Sequence, residues 1–293
     1  MTASHPTPLP HPITGDLFDS PVPPGTGWPG DPATANTPVC HTAEDIAARA
    51  DQARSHGDLT ELEAAISVCS VCDRLVDWRQ SLAVHKRAAF ADQPYWSRPV
   101  PSFGNPDARR VIVGLAPSAH GSNRTGRNFT GDPAGRWLYR ALYKAGACTR
   151  EESIAAGDGM EITAARVVPP VHCAPPHNKP TTEEKATCRT WFSTELSMIR
   201  PVAILALGQI GWTSVFQAGA ALGWKGISPR PKFGHNVTAT VTTGWGPLTV
   251  VGCYHPSQRN TSTKLLTEPK LDAAMRTFLA IAIGGEDGEH DED

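Results

Sequence analysis

Short apolar runs alternate with amphipathic segments along most of this 293-residue chain. The apolar runs are rich in β-branched residues and end at Gly or Pro, which is typical of buried strands. The predicted strands are residues 109–115, 162–168, 202–207 and 248–254. Because segments with helical spacing lie between them, the pattern predicts an α/β sandwich with a mainly parallel sheet.

The amphipathic segments predict helices, several of which begin at a recognisable N-cap residue. Residues 42–69 are predicted to form two helices broken near Gly57, with Thr42 as the first N-cap and Asp58 or Thr60 as the second. Further helices are predicted at 75–86, from Asp132-Pro133 onward, after Thr181 or Thr182, at 209–222 and at about 268–283. The Gly/Pro-rich segment before the last strand leaves room for a hairpin at 236–250.

Both ends of the chain differ in composition from the rest. Residues 1–40 hold ten of the 27 prolines and lack apolar periodicity, so they predict a mostly extended arm. Phe18 and Trp28 are the side chains through which this arm can dock. Residues 286–293 include six acids and predict a disordered tail, which leaves 41–285 as the folded domain.

The formal net charge of −2 hides an uneven distribution. The arm contains three Asp and no Lys or Arg, and the tail contributes six negative charges, so residues 41–285 carry a net +7. A basic body is compatible with a polyanionic partner, although ordinary scatter of surface charge gives the same number. No run approaches 18 apolar residues and the N-terminus has no secretory pattern, so we expect a cytosolic protein without a membrane span.

Seven cysteines in a chain expected to be cytosolic suggest metal binding before disulfides. Cys69 and Cys72 form a C-x2-C pair, and 14 residues separate Cys173 from Cys188. Two such pairs indicate a four-thiolate site, and the spacing leaves zinc and iron–sulfur open. The alternative is four unrelated buried thiols. The other cysteines, interpreted as non-ligands, are Cys40, Cys148 and Cys253.

A polar loop of 15 residues, 118–132, follows the first predicted strand. A loop at the carboxyl end of a strand is where α/β proteins bind ligands. Phe129 can stack on a base that has left the duplex, and Asp132 can hold water or stabilise positive charge on a sugar. The plainer interpretations are core packing for Phe129, helix capping for Asp132 and a solvated surface for Arg124 and Arg127.

A second polar segment follows the last predicted strand. His255 stands at the carboxyl end of that strand, where it can donate a hydrogen bond to a carbonyl or leaving group. The side chains after it that can hold phosphates are Ser257, Gln258, Arg259 and Asn260. A single His is more often structural, but this one is expected at the same sheet edge as the first loop.

Three stretches of the chain together resemble one enzyme family. They are GLAPSAHGSNRTGRNFTGD at 114–132, HCAPPHNKPTTEE at 172–184 and CYHPSQRNT at 253–261. With these motifs, and over about residues 65–280, the chain resembles family 5 of the uracil-DNA glycosylase superfamily, the B-type enzymes of bacteria and archaea. The resemblance implies a three-layer α/β/α fold with a central four-stranded, mainly parallel sheet.

The resemblance also implies roles for individual residues. The catalytic positions are Asp132, His255 and Asn178, and the base-binding positions are Ala116, His120, Gly121 and Phe129. The DNA-binding positions are Arg124, Arg127, Ser257, Gln258, Arg259 and Asn260. The set of Cys69, Cys72, Cys173 and Cys188 matches the iron–sulfur members, which implies a structural [4Fe-4S] cluster. Many superfamily members carry Asp, Asn or Glu where this chain has Leu115, so the catalytic carboxylate is expected at Asp132 instead.

The implied activity is DNA repair by hydrolysis of the N-glycosidic bond of uracil in single- or double-stranded DNA. Other deaminated or modified bases, such as hypoxanthine, ethenocytosine and hydroxymethyluracil, are implied as further substrates. We expect a monomer in the bacterial cytoplasm, associated with the nucleoid. Two alternatives stay open: a nucleic-acid-binding iron–sulfur protein without glycosylase activity, and a zinc-stapled phosphate-binding domain.

Overall fold

A six-stranded sheet lies at the centre of the computed structural model, which describes residues 7–283. The strands of this sheet are β3 (Phe103–Gly104), β4 (Arg110–Val113), β5 (Arg166–Val167), β6 (Ala203–Leu207), β7 (Thr238–Thr243) and β8 (Gly246–Cys253). Two earlier strands, β1 (Leu9–Pro10) and β2 (Leu17–Phe18), pair with each other. The helices are α1 (Ala43–His56), α2 (Leu59–Ser67), α3 (Asp73–Val84), α4 (Ser122–Thr125), α5 (Pro133–Lys144), α6 (Thr182–Ile199), α7 (Gly208–Ala221), α8 (Gln258–Ser262) and α9 (Glu268–Leu279). Short 3-10 turns span Ala88–Phe90 and Pro176–Asn178. Residues 284–293, which include the expected acidic tail, lie outside the described part.

The central sheet has the strand order β3-β5-β4-β6-β8-β7. Its four inner strands, β5, β4, β6 and β8, run parallel, and antiparallel β3 and β7 form the edges. The expected four-stranded sheet is therefore corrected to six strands. β7 belongs to the hairpin allowed for at 236–250, whereas β3 is two residues long and follows Pro-rich sequence without alternation. β5, predicted over 162–168, is limited to Arg166–Val167.

Helices cover both faces of the sheet because the parallel strands are apolar on both sides. On one face, Ile112, Leu205 and Val251 belong to a buried cluster that includes residues of α5 and α9. On the other face, Val111 and Ile204 pack with residues of α6 and α7. This alternation along β4 and β6 confirms the three-layer α/β/α arrangement.

Several predicted helix starts are confirmed by hydrogen bonds at the N-cap. Thr42 forms a capping box with Asp45 at the start of α1, and Thr181 forms one with Glu184 at the start of α6. Asp58 caps α2 by accepting from two amides of its first turn. Each N-cap of this kind stabilises its helix by about 1 kcal/mol, because it provides an acceptor for an amide of the first turn.

The N-terminal arm packs against the loop that follows β4. Phe18 and Trp28 are buried, as expected of docking side chains, and the Trp28 and Trp96 ring centroids are 6.1 Å apart. Trp28 Nε1 also donates to the Thr125 carbonyl at 3.3 Å. The arm thus supports the loop that carries Phe129 and Asp132. Within the described residues, no helix is both long and apolar enough to cross a membrane.

Candidate active site

A cavity of about 720 Å³ lies across the carboxyl ends of the four parallel strands. The loop after each strand contributes to its lining: Gly114, Leu115, Ala116 and Ser118 after β4, Pro169 after β5, Gly208, Gln209 and Ile210 after β6, and His255 after β8. This is the sheet edge at which α/β proteins bind ligands. Residues far apart in the sequence become neighbours here because parallel strands end side by side.

Phe129 forms part of the cavity wall, and the preceding loop determines its position. Gly126 ends the single turn of α4 with a φ of 71°, a conformation that favours glycine. The Ser122 hydroxyl oxygen then accepts a hydrogen bond from the Phe129 amide at 3.1 Å. The ring lies close to Gly114, where an added Cβ would come within 3.0 Å of Phe129 Cζ. On the cavity side, the Phe129 and His255 ring centroids are 6.0 Å apart.

Asp132 uses its two carboxylate oxygens for different partners. Oδ1 accepts from the Gly135 amide at 2.9 Å and caps α5, with Pro133 in the first turn. Oδ2 accepts a hydrogen bond from the Ser118 hydroxyl. Gly121 makes room for this pair, because a Cβ there would lie 2.5 Å from Asp132 Oδ2. The expected capping role is confirmed, and the same carboxylate also borders the cavity.

The surroundings of His255 favour its neutral imidazole over the charged imidazolium. Burial lowers its pKa below the ordinary histidine value, and the negative charge of Asp132 opposes this shift without cancelling it. Asn260 anchors the backbone here, since its Nδ2 donates to the His255 carbonyl at 2.9 Å. A neutral imidazole carries one N–H donor, so His255 can offer a hydrogen bond to a ligand in the cavity.

The other polar residues expected after the last strand lie at the rim of the cavity. Ser257 caps α8 by accepting from the Asn260 amide at 3.4 Å, and Gln258 and Arg259 are exposed. Asn178 is exposed at the end of a 3-10 turn, with a φ of 56°. All of them line the cavity, so the structure brings them together with Asp132 and His255.

Only part of the expected base-binding set lies in this cavity. Ala116 and Phe129 line it, whereas His120 and Gly121 are not among its lining residues. The physical reason is the turn of the chain into α4, which carries the His120 ring away to Tyr95. There the His120 Nδ1 lies 3.1 Å from the Tyr95 hydroxyl, and burial lowers the pKa of the imidazole.

Arg124 and Arg127, expected to contact DNA, both have buried side chains. The Arg124 guanidinium carbon lies 4.0 Å from the centroid of the Phe90 ring. Arg127 forms an ion pair with Asp158 at 2.6 Å. Guanidinium groups satisfied inside the protein are not available to phosphates. Both arginines instead hold the loop 118–132 in place.

Sequence reasoning missed several residues of the cavity wall, among them Asn128, Gln209 and Ile210. Asn128 is buried directly before Phe129, and Gln209 and Ile210 stand near the start of α7. Gln209 had a usable signal, since a Gly and a polar residue follow a predicted strand at the same sheet edge. Asn128 had none, because it stands among many polar residues and only the folded loop distinguishes it.

The four expected ligand cysteines surround a second, much smaller space of about 20 Å³. They are Cys69, Cys72, Cys173 and Cys188. Burial raises the pKa of every one of these thiols, that of Cys72 to about 12. Arg79 Nη1 donates to Cys173 Sγ at 3.3 Å. Across residues 7–283, no three His, Cys, Asp or Glu side chains are arranged to hold a single metal ion.

Fold and site together define a class of protein: an α/β protein whose ligand cavity, at the carboxyl edge of a parallel sheet, combines a carboxylate, an imidazole and an aromatic ring. The family profile of the uracil DNA glycosylase superfamily matches residues 101–279. The chain belongs to this superfamily, and its relatives place it in the type-5 group.

Three of these relatives show how far the similarity extends. The type-5 uracil-DNA glycosylase of Mycobacterium bovis is 48% identical over 274 residues, covering 93% of this chain and 98% of the relative. The Thermus thermophilus protein of the same name is 42% identical over 203 residues, covering 69% and 88%. The Pyrobaculum aerophilum protein is 38% identical over 214 residues, covering 73% and 89%. The family expected from the three motifs is confirmed.

Proposed function

We propose that this protein is a uracil-DNA glycosylase of DNA repair, which hydrolyses the N-glycosidic bond of uracil and leaves an abasic site. The observation that carries the proposal is the convergence of Phe129, Asp132 and His255 on one cavity from two loops. The three type-5 relatives bear this activity in their names and match most of the chain.

The target base reaches the cavity after leaving the duplex, because the glycosidic bond is inaccessible between stacked base pairs. A cavity of about 720 Å³ has room for one base and its sugar. Phe129 provides the aromatic ring on which the base stacks. At the rim, the exposed Gln258 and Arg259 meet the DNA strand, and Arg259 offers a positive charge to a phosphate.

Asp132 acts on the sugar through its charge and its fixed position. Cleavage of the glycosidic bond develops positive charge on the sugar, which a nearby carboxylate stabilises. The hydrogen bonds from Ser118 and Gly135 hold both oxygens in place, so little reorganisation is needed during the reaction. The same carboxylate holds the attacking water.

His255 stabilises the departing base. Its neutral imidazole donates a hydrogen bond to a carbonyl oxygen of the base as negative charge builds up there. Uracil is already a tolerable anionic leaving group, so this stabilisation needs no complete proton transfer. Asn178 adds an amide with both donor and acceptor at the open side of the cavity.

We further infer that the four cysteines hold a [4Fe-4S] cluster with a structural role. Four thiols from two segments suit such a cluster, and the buried Arg79 offsets part of its negative charge. Cys69, Cys72, Cys173 and Cys188 would hold the cluster, which would link their segments of the chain. The cluster would tie residues 69–72 to the segment that carries Asn178.

Incubation of the purified protein with a uracil-containing oligonucleotide tests the activity. We expect free uracil and an alkali-labile abasic product from single- or double-stranded DNA, and His255→Ala should slow single-turnover release about 100-fold. Oligonucleotides with hypoxanthine, ethenocytosine and hydroxymethyluracil then define the breadth of the substrate range. A protein that binds uracil-containing DNA but releases no base would contradict the proposal.

Visible absorbance and metal analysis test the cluster. We expect a brown protein with broad visible absorbance, weakened in Cys72→Ser and unchanged in the matched control Cys148→Ser, whose thiol lies outside the cysteine-lined space. A colourless protein that contains zinc would refute the cluster while leaving the glycosylase proposal intact.

A further inference from the structure

The positive charge of the folded domain is concentrated in one stretch of the chain, residues 196–267. This stretch contains six Lys or Arg and no Asp or Glu. At the acid content of the whole chain, 29 in 293 residues, a stretch of this length would hold about seven acids. It also supplies six of the seven net positive charges of residues 41–285. Ordinary scatter of surface charge therefore does not explain the basic body of the protein.

Two of these cations, Arg230 and Lys232, stand beside the cavity in the loop between α7 and β7. Both are exposed, and neither forms an ion pair with any residue of 7–283. Between them, the Pro231 carbonyl accepts a hydrogen bond from Trp212 Nε1 at 2.8 Å. Ile210, two residues before Trp212 in α7, lines the cavity. The loop thus crosses α7 next to the rim.

The same loop is fixed to β8, the strand that leads to His255. The Asn236 amide donates to the Gly252 carbonyl at 2.6 Å. The His235 ring stacks on Tyr254, the residue before His255, with the ring centroids 5.0 Å apart. A loop that is already held in place loses little conformational freedom when it binds a partner. It therefore presents its two cations at a fixed position relative to the cavity.

The opposite side of the cavity differs in charge. In the loop 118–132, the side chains of Arg124 and Arg127 are buried. Beyond Asp132, a smaller pocket is lined by the exposed Glu152, which pairs with Arg136 at 3.2 Å. A phosphate backbone is repelled by an exposed carboxylate and attracted by cations without an acidic partner. Charge therefore favours the β7 side of the cavity for DNA.

We infer that Arg230 and Lys232 bind phosphates of the duplex next to the flipped nucleotide, so that this duplex extends over the β7 side of the cavity. The inference rests on the proposed function, because it assumes DNA as the substrate. It extends the positive rim beyond Arg259 to a loop that has no part in the chemistry described above.

The strand order gives the reach of this contact. From the loop after β4 to β7 there are three strand spacings, or about 14 Å. At a rise of about 3.4 Å per base pair, the two cations lie within about four base pairs of the lesion. Phosphates further along the duplex than this are outside their reach.

The salt dependence of binding tests the inference. The probe is a duplex whose uracil carries a 2′-fluoro-arabino sugar, which resists cleavage. Each phosphate contact contributes about 0.9 to the slope of log affinity against log salt, so replacement of both residues, Arg230→Ala and Lys232→Ala, should reduce the slope by about 1.8. The affinity at about 0.1 M salt should fall at least about tenfold. An unchanged slope would overturn the inference.

Shortening the duplex on one side of the uracil locates the contact. Cutting the flank that the loop reaches from about ten to about two base pairs should abolish the difference between wild type and double variant, because the contacted phosphates are removed. The same cut in the other flank should leave the difference intact. A difference that survives both cuts would show a general effect of charge and refute a contact at this place.

Lys225→Ala is the matched control. Lys225 has the same charge, is exposed and belongs to the same loop, but its backbone pairs with Thr242 near the amino edge of the sheet. It should change neither the salt slope nor the dependence on the flanks. A reduction in slope half that of the double variant would assign the effect to net charge and overturn the inference.

Release of uracil separates this inference from the proposed function. A wild type that releases no uracil, but binds the probe with a steeper salt slope than the double variant, would refute the glycosylase proposal alone. A wild type that releases uracil, but has the same salt slope as the double variant, would refute this inference alone.

Discussion

Replacement of Asp132 separates the two roles of its carboxylate. Oδ1 caps α5 and Oδ2 accepts from Ser118, while the charge faces the cavity. Asp132→Asn keeps an N-cap acceptor of nearly equal quality but removes the charge, whereas Asp132→Ala removes both. If the charge stabilises the transition state, both variants should slow single-turnover uracil release by about 100-fold or more, which corresponds to roughly 2.7 kcal/mol.

The stability of the two variants should differ. Loss of the cap in Asp132→Ala costs about 1 kcal/mol, or a fall in Tm of roughly 2–4 °C for a domain of this size, while Asp132→Asn should melt close to the wild type. Asp58→Ala is the matched control, because Asp58 caps α2 and does not line the cavity. It should lose similar stability at an unchanged rate. An Asp132→Asn enzyme with the wild-type rate would refute the catalytic role of the charge.

Two further predictions concern groups that border the cavity or support it. His255 should titrate below pH 6.5 in an NMR experiment, and Asp132→Asn should lower its pKa further by removing a negative charge. Because the unfolded chain binds this proton more readily, stability should fall as the pH drops below about 6.5, and His255→Gln should flatten that fall; titration above 6.5 would contradict this account. Trp28→Phe removes the hydrogen bond to Thr125, so it should cost about 1 kcal/mol of unfolding free energy and slow uracil release. Trp245→Phe, which loses a similar indole bond far from the cavity, should cost stability alone, and equal rates in both variants would contradict a supporting role of the arm.

The parallel sheet and its helices could be predicted from the sequence because their signals are local. Apolar runs predict β4, β6 and β8, and the cap residues Thr42, Asp58 and Thr181 mark helix starts within a residue or two. The edge strand β3 could not be predicted in this way. It is two residues long, and only its pairing with β5 makes it a strand.

The residues of the candidate site also differ in whether a local sequence signal identifies them. Asp132 and His255 follow strand ends, so topology alone brings them to one edge of the sheet. Arg124 and Arg127 have the composition of a phosphate-binding surface, yet their burial depends on partners such as Asp158, 31 residues further along the chain. Asn128 could not be identified from the sequence, because it lies in a polar run and its amide is oriented by a contact with Pro101.

The packing of the arm against the loop also has a consequence for the order of events during synthesis. Thr125 follows Trp28 by 97 residues, which take roughly 5–20 s to translate. During this time the arm has left the ribosome but the loop that it packs against has not been made. The many prolines of the arm suit this interval, because proline has no backbone N–H to donate to a further strand, and the described arm forms only the short β1–β2 pair. His255 emerges later still, so the cavity is completed only when most of the chain has left the ribosome.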